Sequence, residues 1–359
     1  MTSSVESHHI GGEFELKCSD LEFDTAANAV LPSFGAPQET WLDTGRSALA
    51  VIARHLAHTA AESTVWLPAY CCESIVAPFL RKNLPVRFYS VGERLDRIDV
   101  DPSPGDTLLF IHYFGCRNRT ALRRIEEFRA GSIRVIEDCV QAALTTGIGT
   151  FGDHALTSLR KLLPQPDGAM LASRETIAIV PEPADEAFVS ARVVGKLQRG
   201  AAAWPEAFLP LFERSEARLA DDLPRTMSWI SHQLLGRTDL PMVAARRVAN
   251  FEALTKGLAA IEPRIGIVPL LPRLDVGEVP LGLPIVVGGG RRDALRTHLA
   301  GWGIFCPIHW DLAHIGSGAF AEERALSASM LTLPIDQRYD ERDMSTILGS
   351  LSNLCGDRS

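Results

Sequence analysis

A chain of 359 residues, 46% hydrophobic and 22% charged, is long enough to bury a sizeable core and has ordinary globular composition. Its net charge of −8, without a basic run, excludes an extended nucleic-acid surface, and no apolar run reaches the roughly 18 residues a membrane span needs. Met1 to His9 lacks the basic start and apolar centre of a signal peptide, so the expectation is a cytoplasmic protein.

In chain order, Asp43-Thr44-Gly45 opens a helix predicted over Thr44 to His58, with Leu49, Ile52, Ala53 and Leu56 on one face. Val65 to Leu67 reads as a buried strand, Glu73 to Lys82 as a helix, and Val86 to Val91 and Thr107 to Phe114 as further strands. An amphipathic helix follows over Arg119 to Arg129, then strands at Ile133 to Ile136, Ala155 to Leu159 and Ala169 to Ala172. Strands alternating with helices predict a mostly parallel sheet with helices on both faces.

From about 185 to 260 the periodicity is helical. It includes a long helix over Val243 to Leu258 with Arg246, Arg247 and Asn250 on its polar side, ended by Pro263 to Pro272. A strand at Leu283 to Val287, a helix at Arg291 to Trp302, a strand at Ile304 to His309 and a helix at Asp340 to Leu351 make a smaller α+β unit. The predicted organisation is an N-terminal segment over residues 1–20, a large α/β domain over 21–240 and a small C-terminal α+β domain over 241–359.

The seven cysteines (Cys18, Cys71, Cys72, Cys116, Cys139, Cys306 and Cys355) are odd in number, scattered and without a CxxC pair, which argues against a disulfide framework or structural zinc. Only five lysines are present: Lys17, Lys82, Lys161, Lys196 and Lys256. Chemistry that needs an amine therefore has few candidates.

Three segments carry chemical possibilities. Thr44-Gly45-Arg46-Ser47 at a helix start offers free backbone N–H groups to a phosphate, and reads equally as a plain cap. Val135-Ile136-Glu137-Asp138-Cys139-Val140-Gln141 ends a strand in two acids, at the strand end where open α/β sheets place ligands. Asp138 there can pair with a protonated pyridine nitrogen or cap the next helix, and Gln141 lies three residues on. Ser158-Leu159-Arg160-Lys161-Leu162-Leu163 sets a lysine among apolar residues, which depresses its pKa and frees the amine as a nucleophile; a surface loop is the other reading.

Taken in order, these motifs resemble those of the DegT–StrS sugar aminotransferases, a group of fold-type I enzymes dependent on pyridoxal 5'-phosphate (PLP). Pro68-Ala69-Tyr70, Ile111-His112-Tyr113-Phe114-Gly115, Gly149-Thr150-Phe151-Gly152-Asp153 and Leu331-Thr332-Leu333-Pro334 extend the resemblance over roughly residues 10 to 340. The resemblance implies a Schiff base between Lys161 and PLP, with Asp138 on the pyridine nitrogen and Gln141 at the phenolic oxygen. It places the phosphate on the backbone of Gly45 and Arg46 and on the Ser158 hydroxyl. It implies a ping-pong transfer through a Lys161 aldimine, from an amino-acid donor to a keto sugar or related small carbonyl compound, in a homodimer. Elimination or dehydration on the same fold, and a non-catalytic PLP-fold binding protein, are the alternatives.

The chain also departs from the family. Ser158-Leu159-Arg160-Lys161 is shorter than Ser-Phe-x-x-x-Lys, and the usual Gly-Gly is Gly168-Ala169. The aromatic residue that stacks on the ring falls at Cys72, leaving Tyr70 and His112 as candidates for that face. The Asn-Tyr-Arg stretch that reaches the neighbouring subunit is replaced by Ser228 to Leu240. His309-Trp310-Asp311 lies where relatives approach substrate, and reads equally as a structural strand end.

Overall fold

The computed structural model describes residues 9–23, 32–202, 204–220, 223–316 and 318–353; His8 and Cys355 lie outside them. After β1 (Ile10–Gly11), β2 (Gln38–Leu42) leads through a tight turn into α1 (Gly45–Thr59). The Thr44 side chain accepts from Ser47 N and caps α1. The alternation continues through β3 (Val65–Pro68), α2 (Glu73–Arg81), β4 (Val86–Tyr89), β5 (Thr107–Ile111), α3 (Arg119–Ala130), β6 (Arg134–Asp138), β7 (His154–Leu156) and β8 (Ala169–Ser173).

These strands form one sheet in the order β2-β8-β7-β6-β5-β3-β4. β8 is antiparallel to both of its neighbours, and the remaining pairs are parallel, so β8 alone runs against the rest. β5 and β8 are buried at every position, as strands covered on both faces are. The main apolar core, with Leu49, Ile52 and Leu56 of α1 in it, packs against this sheet.

The helical stretch resolves into α4 (Glu186–Gly200), α5 (Pro205–Ala217), α6 (Trp229–Gly236) and α7 (Leu240–Ile265). α7 runs through Pro263, where the sequence suggested a break, because Phe251, Leu254 and Leu258 bury in a second core. It stops at Gly266, whose φ of +63° leaves the helix. Arg247 and Asn250, expected on the polar side, are buried instead. Their donors reach backbone carbonyls: Asn250 Nδ2 donates to Ile335 O, Asp336 O and Tyr339 O at 3.0–3.2 Å.

The second core surrounds a three-stranded antiparallel sheet. Its strands are β9 (Ile267–Pro269) and β10 (Leu283–Val287), joined after α8 (Arg292–Gly301), β11 (Ile304–Phe305) and α9 (Ala321–Ser329) by β12 (Met330–Leu333). α10 (Glu341–Asn353) closes the described chain. β1 pairs with β11, so the N-terminal segment is stitched to the C-terminal part of the fold.

Four predicted strands are shorter in the structure, those at Val86, Thr107, Ala155 and Ile304, and two of them end for a visible reason. β11 stops before Pro307, which has no N–H to give to a ladder. β5 stops at Ile111, and the chain turns at Phe114 (φ +53°) and Gly115 (φ +93°). A Cβ on Gly115 would collide with the Val279 carbonyl, so that turn requires glycine. Among the described residues, no helix is long and apolar enough to cross a membrane.

Candidate active site

Lys161 ends a short 3-10 turn over Leu159–Lys161, just past β7. The loop is pinned at its base: Leu159 N donates to Gly168 O (2.9 Å), and Gly168 N donates to Asp43 O (2.6 Å). Gly168 has φ of +116°, and a Cβ there would press on Met227 Sδ at 3.0 Å. The glycine after the lysine thus ties the Lys161 loop to the turn that opens α1. Asp167 anchors the other side, accepting from Ser228 N (3.0 Å) and Ser228 Oγ (2.8 Å). The segment that replaces the family's Asn-Tyr-Arg stretch therefore supports the lysine loop of its own chain.

Lys161 faces a cavity of about 500 Å³. Its solvent exposure is high, yet protein surrounds it densely, because the exposed surface is cavity wall. Burial, and then the Arg160 charge, depress its ammonium pKa below the usual lysine range. Gly45, Arg46, Cys72, Asp138, Gln141 and Ser158 line the same cavity. These seven residues, from segments over a hundred residues apart, thus converge on one cavity.

Asp138 ends β6, fully buried, with Val140 N donating to its Oδ1 at 2.9 Å. Burial pushes its carboxyl up to about 7, against the weaker pull of that N–H and of Lys161. Gln141 Oε1 accepts from Phe114 N at 2.8 Å, which leaves the amide nitrogen for the cavity. The N-terminus of α1 meets Ser158 here, since a Cβ on Gly45 would lie 3.7 Å from Ser158 Cβ.

Glu137, next to Asp138, faces the opposite way and is structural. Burial alone would raise its pKa, but the His112 hydrogen bond (2.9 Å) and the N–H groups of Gly149 and Gly152 hold it below the carboxylate range. His112 Nδ1 accepts from Asn118 N at 2.9 Å, so Nε2 carries the proton given to Glu137. His112 is thereby locked away from the cavity. Tyr70 is no closer to it: its hydroxyl donates to His309 O and its ring packs on Tyr113 and Trp310. Neither candidate for the stacking face lines the site.

His309 and Trp310 do line it, beyond the end of β11. Their neighbours Pro307 and Ile308 gave no signal beyond an apolar strand. His309 Nδ1 lies 2.9 Å from Thr332 Oγ1; burial, and then Lys161, hold the ring neutral with its pKa down to about 3. The cavity also has a charged wall that sequence patterns did not reveal, made by Glu13, Arg46, Arg160, Arg192 and Glu216. Arg160 and Arg192 both reach Glu216 Oε1 (3.0 and 3.4 Å), and Arg192 reaches Glu13 Oε2 at 2.9 Å. Burial would raise Glu13, but Lys196, Arg192 and Arg160 pull it down to about 2. Cys71 is buried with its thiol pKa pushed well up, so it is not an activated nucleophile.

A sheet in which one strand opposes the others, followed by a smaller antiparallel sheet, with the cavity at the carboxyl end of β6, is the fold of type I PLP-dependent aminotransferases. By sequence the chain matches no protein-family model and no curated protein. By structure it resembles Helicobacter pylori PseC, an aminotransferase of pseudoaminic acid biosynthesis, with a TM-score of 0.70 and 11% identity over 98% of this chain and 100% of that one. A putative sugar aminotransferase from Streptococcus pneumoniae in its PLP form matches at 0.68 with 12% identity, covering 98% and 99%. A DegT DnrJ EryC1 StrS aminotransferase from Brucella abortus matches at 0.61 with 15% identity, covering 90% and 87%. At these identities the likeness establishes the fold.

Asp138 gives this site a pH signature. In the cofactor-free chain, Asp138 keeps its proton up to about 7, whereas the unfolded chain loses it near 3.8. Between those values the folded state binds the extra proton, so stability falls as pH rises, by up to a few kcal/mol, and levels off above the window. Asp138→Asn should flatten this dependence and raise the melting temperature of the cofactor-free chain at pH 8. The same change should weaken PLP binding at least tenfold. Melting curves from pH 4 to 8, with and without PLP, check both halves.

Proposed function

We propose that the chain is a PLP-dependent aminotransferase that moves an amino group from an amino-acid donor to a keto sugar or a related small carbonyl compound, working as a homodimer. The observation that carries this reading is the convergence of Lys161, Asp138, Gln141, Ser158 and the α1 N-terminus on one cavity. The residues present fit the cofactor. A depressed lysine and a buried carboxyl that makes no ion pair among the described residues line one cavity, beside the N-terminus of α1. The likeness to a sugar aminotransferase in its PLP form supports the same assignment.

PLP, when bound, supplies an electron-withdrawing ring that stabilises negative charge at the substrate carbon. The chain's own residues do the rest. Lys161 Nζ would hold the cofactor through its carbonyl carbon, and as a free amine it would move a proton to and from the substrate carbon. Asp138, ionised against the pyridine nitrogen, keeps that nitrogen protonated. Gln141 would offer its amide N–H to the phenolic oxygen, while Gly45 N, Arg46 N and Ser158 Oγ would hold the phosphate. Neutral His309 and the ring of Trp310 shape the side where substrate enters.

The test is half a reaction. The purified chain is given PLP and then single amino donors, glutamate first, with no acceptor present. Loss of the cofactor's visible band, with one keto acid released per chain, is the expected result. A band unchanged by every common amino acid would overturn the reading.

A further inference from the structure

At the amino end of β7, the opposite end of the strands from Asp138, three ligating side chains from different elements meet. They are His55 of α1, His154 of β7 and Glu175 just after β8. His55 Nε2 lies 3.0 Å from Glu175 Oε1, and His154 Nε2 lies 3.4 Å from the same oxygen. All three donor atoms fall within 4.8 Å of one another.

The tautomer of His154 follows from its neighbours. Ser173 Oγ gives its single proton to Glu175 O at 2.7 Å, so toward His154 Nδ1, 3.1 Å away, it can only accept. Nδ1 therefore carries the ring proton, and Nε2 presents a lone pair. That nitrogen is buried, has no hydrogen-bond partner, and faces a carboxylate oxygen. Two acceptors face each other across a gap whose geometry fails as a direct hydrogen bond, so a proton on Nε2 would not join them. A cation between them would satisfy both.

We propose that His55, His154 and Glu175 bind one divalent transition-metal ion, Zn²⁺ being the species that fits, with a fourth position open to water. Two imidazoles and a carboxylate are a zinc donor set, and bonds of about 2.0 Å at tetrahedral angles separate ligand atoms by about 3.3 Å. The two separations from Oε1 bracket that value. Ser173 is the outer partner that aims the His154 ring. Glu175 is half exposed and gives an ion its route in. Arg134 Nε stands 3.9 Å from Oε1, and a metal on that oxygen leaves Oε2 to the guanidinium. An ion here would clamp α1, whose other end forms the phosphate turn, to β7 and the end of β8.

The full chain, stripped with a chelator, is titrated with Zn²⁺ by calorimetry and with Co²⁺ by difference absorption. The expected result is one equivalent per chain, visible bands of tetrahedral Co²⁺, and a melting temperature raised by about 2–5 °C at saturating Zn²⁺. His55→Ala and Glu175→Gln, both near the surface, should each weaken Zn²⁺ at least tenfold and cancel that rise while the far-UV spectrum is kept. No stoichiometric binding, or binding equally tight in both variants, would overturn the proposal; the second outcome would put the metal elsewhere.

Discussion

Replacing Lys161 with alanine is expected to abolish the coloured, covalent complex with PLP and to cut turnover by about 10³-fold or more. The expectation follows from how few amines could substitute. Lys196 is a buried lysine, but its Nζ is committed to Phe14 O (3.1 Å) and Glu13 (3.4 Å), and it does not line the cavity. The loop should keep its shape without the side chain, because its anchors are backbone bonds through Leu159, Gly168 and Asp43. Removing an ammonium from such dense surroundings also lifts a desolvation cost, so the variant should melt no lower than the wild type without cofactor. Borohydride reduction of the wild-type complex followed by peptide mapping should label Lys161. A coloured, reducible complex in Lys161→Ala would sink the assignment.

The lining of the candidate site was legible in the sequence where local patterns carry it. A strand ending in Asp138, a capped helix opening at Thr44-Gly45, and a rare lysine among leucines are all short-range signals, and their order along the chain gave the fold class. What stayed hidden comes from long range. Glu13, Arg192 and Glu216 look like ordinary surface charges until α4, α5 and the N-terminal segment meet at the cavity. For His309-Trp310-Asp311 the sequence left a substrate-facing stretch and a structural strand end equally open, and the chain beyond β11 brings His309 and Trp310 to the wall. Tyr70 and His112 failed as ring partners for one reason: each had its polar atom claimed by the interior, by His309 O and by Glu137. β2 escaped notice because Gln38 to Leu42 is a half-buried edge strand with little apolar alternation.

Arg247 shows how a polar helix residue can be read backwards, and it carries the largest expected effect on stability. Its guanidinium is fully buried and spends its donors across three segments: Gln337 Oε1 at 2.9 Å, Pro280 O and Leu281 O at 3.2 and 3.0 Å, and Leu162 O at 3.0 Å. Burial lowers its pKa to about 10, which still leaves it charged at neutral pH. Methionine fills similar space and donates nothing. Leu162 O would keep its bond from Gln337 Nε2 at 2.9 Å, while the carbonyls of Pro280 and Leu281 lose this donor. At about 1–3 kcal/mol per stranded buried acceptor, partly offset by relief of the guanidinium's own desolvation, Arg247→Met should cost about 2–4 kcal/mol. Lysine should rescue little, because one ammonium cannot reproduce the fork. The exposed neighbour Arg246→Met is the control and should stay within about 0.5 kcal/mol of the wild type. Since Leu162 follows Lys161 directly, PLP binding should weaken in Arg247→Met as well. Denaturant melts of the three variants decide it: equal midpoints for Arg247→Met and Arg246→Met would mean that the buried fork does not hold the lysine loop.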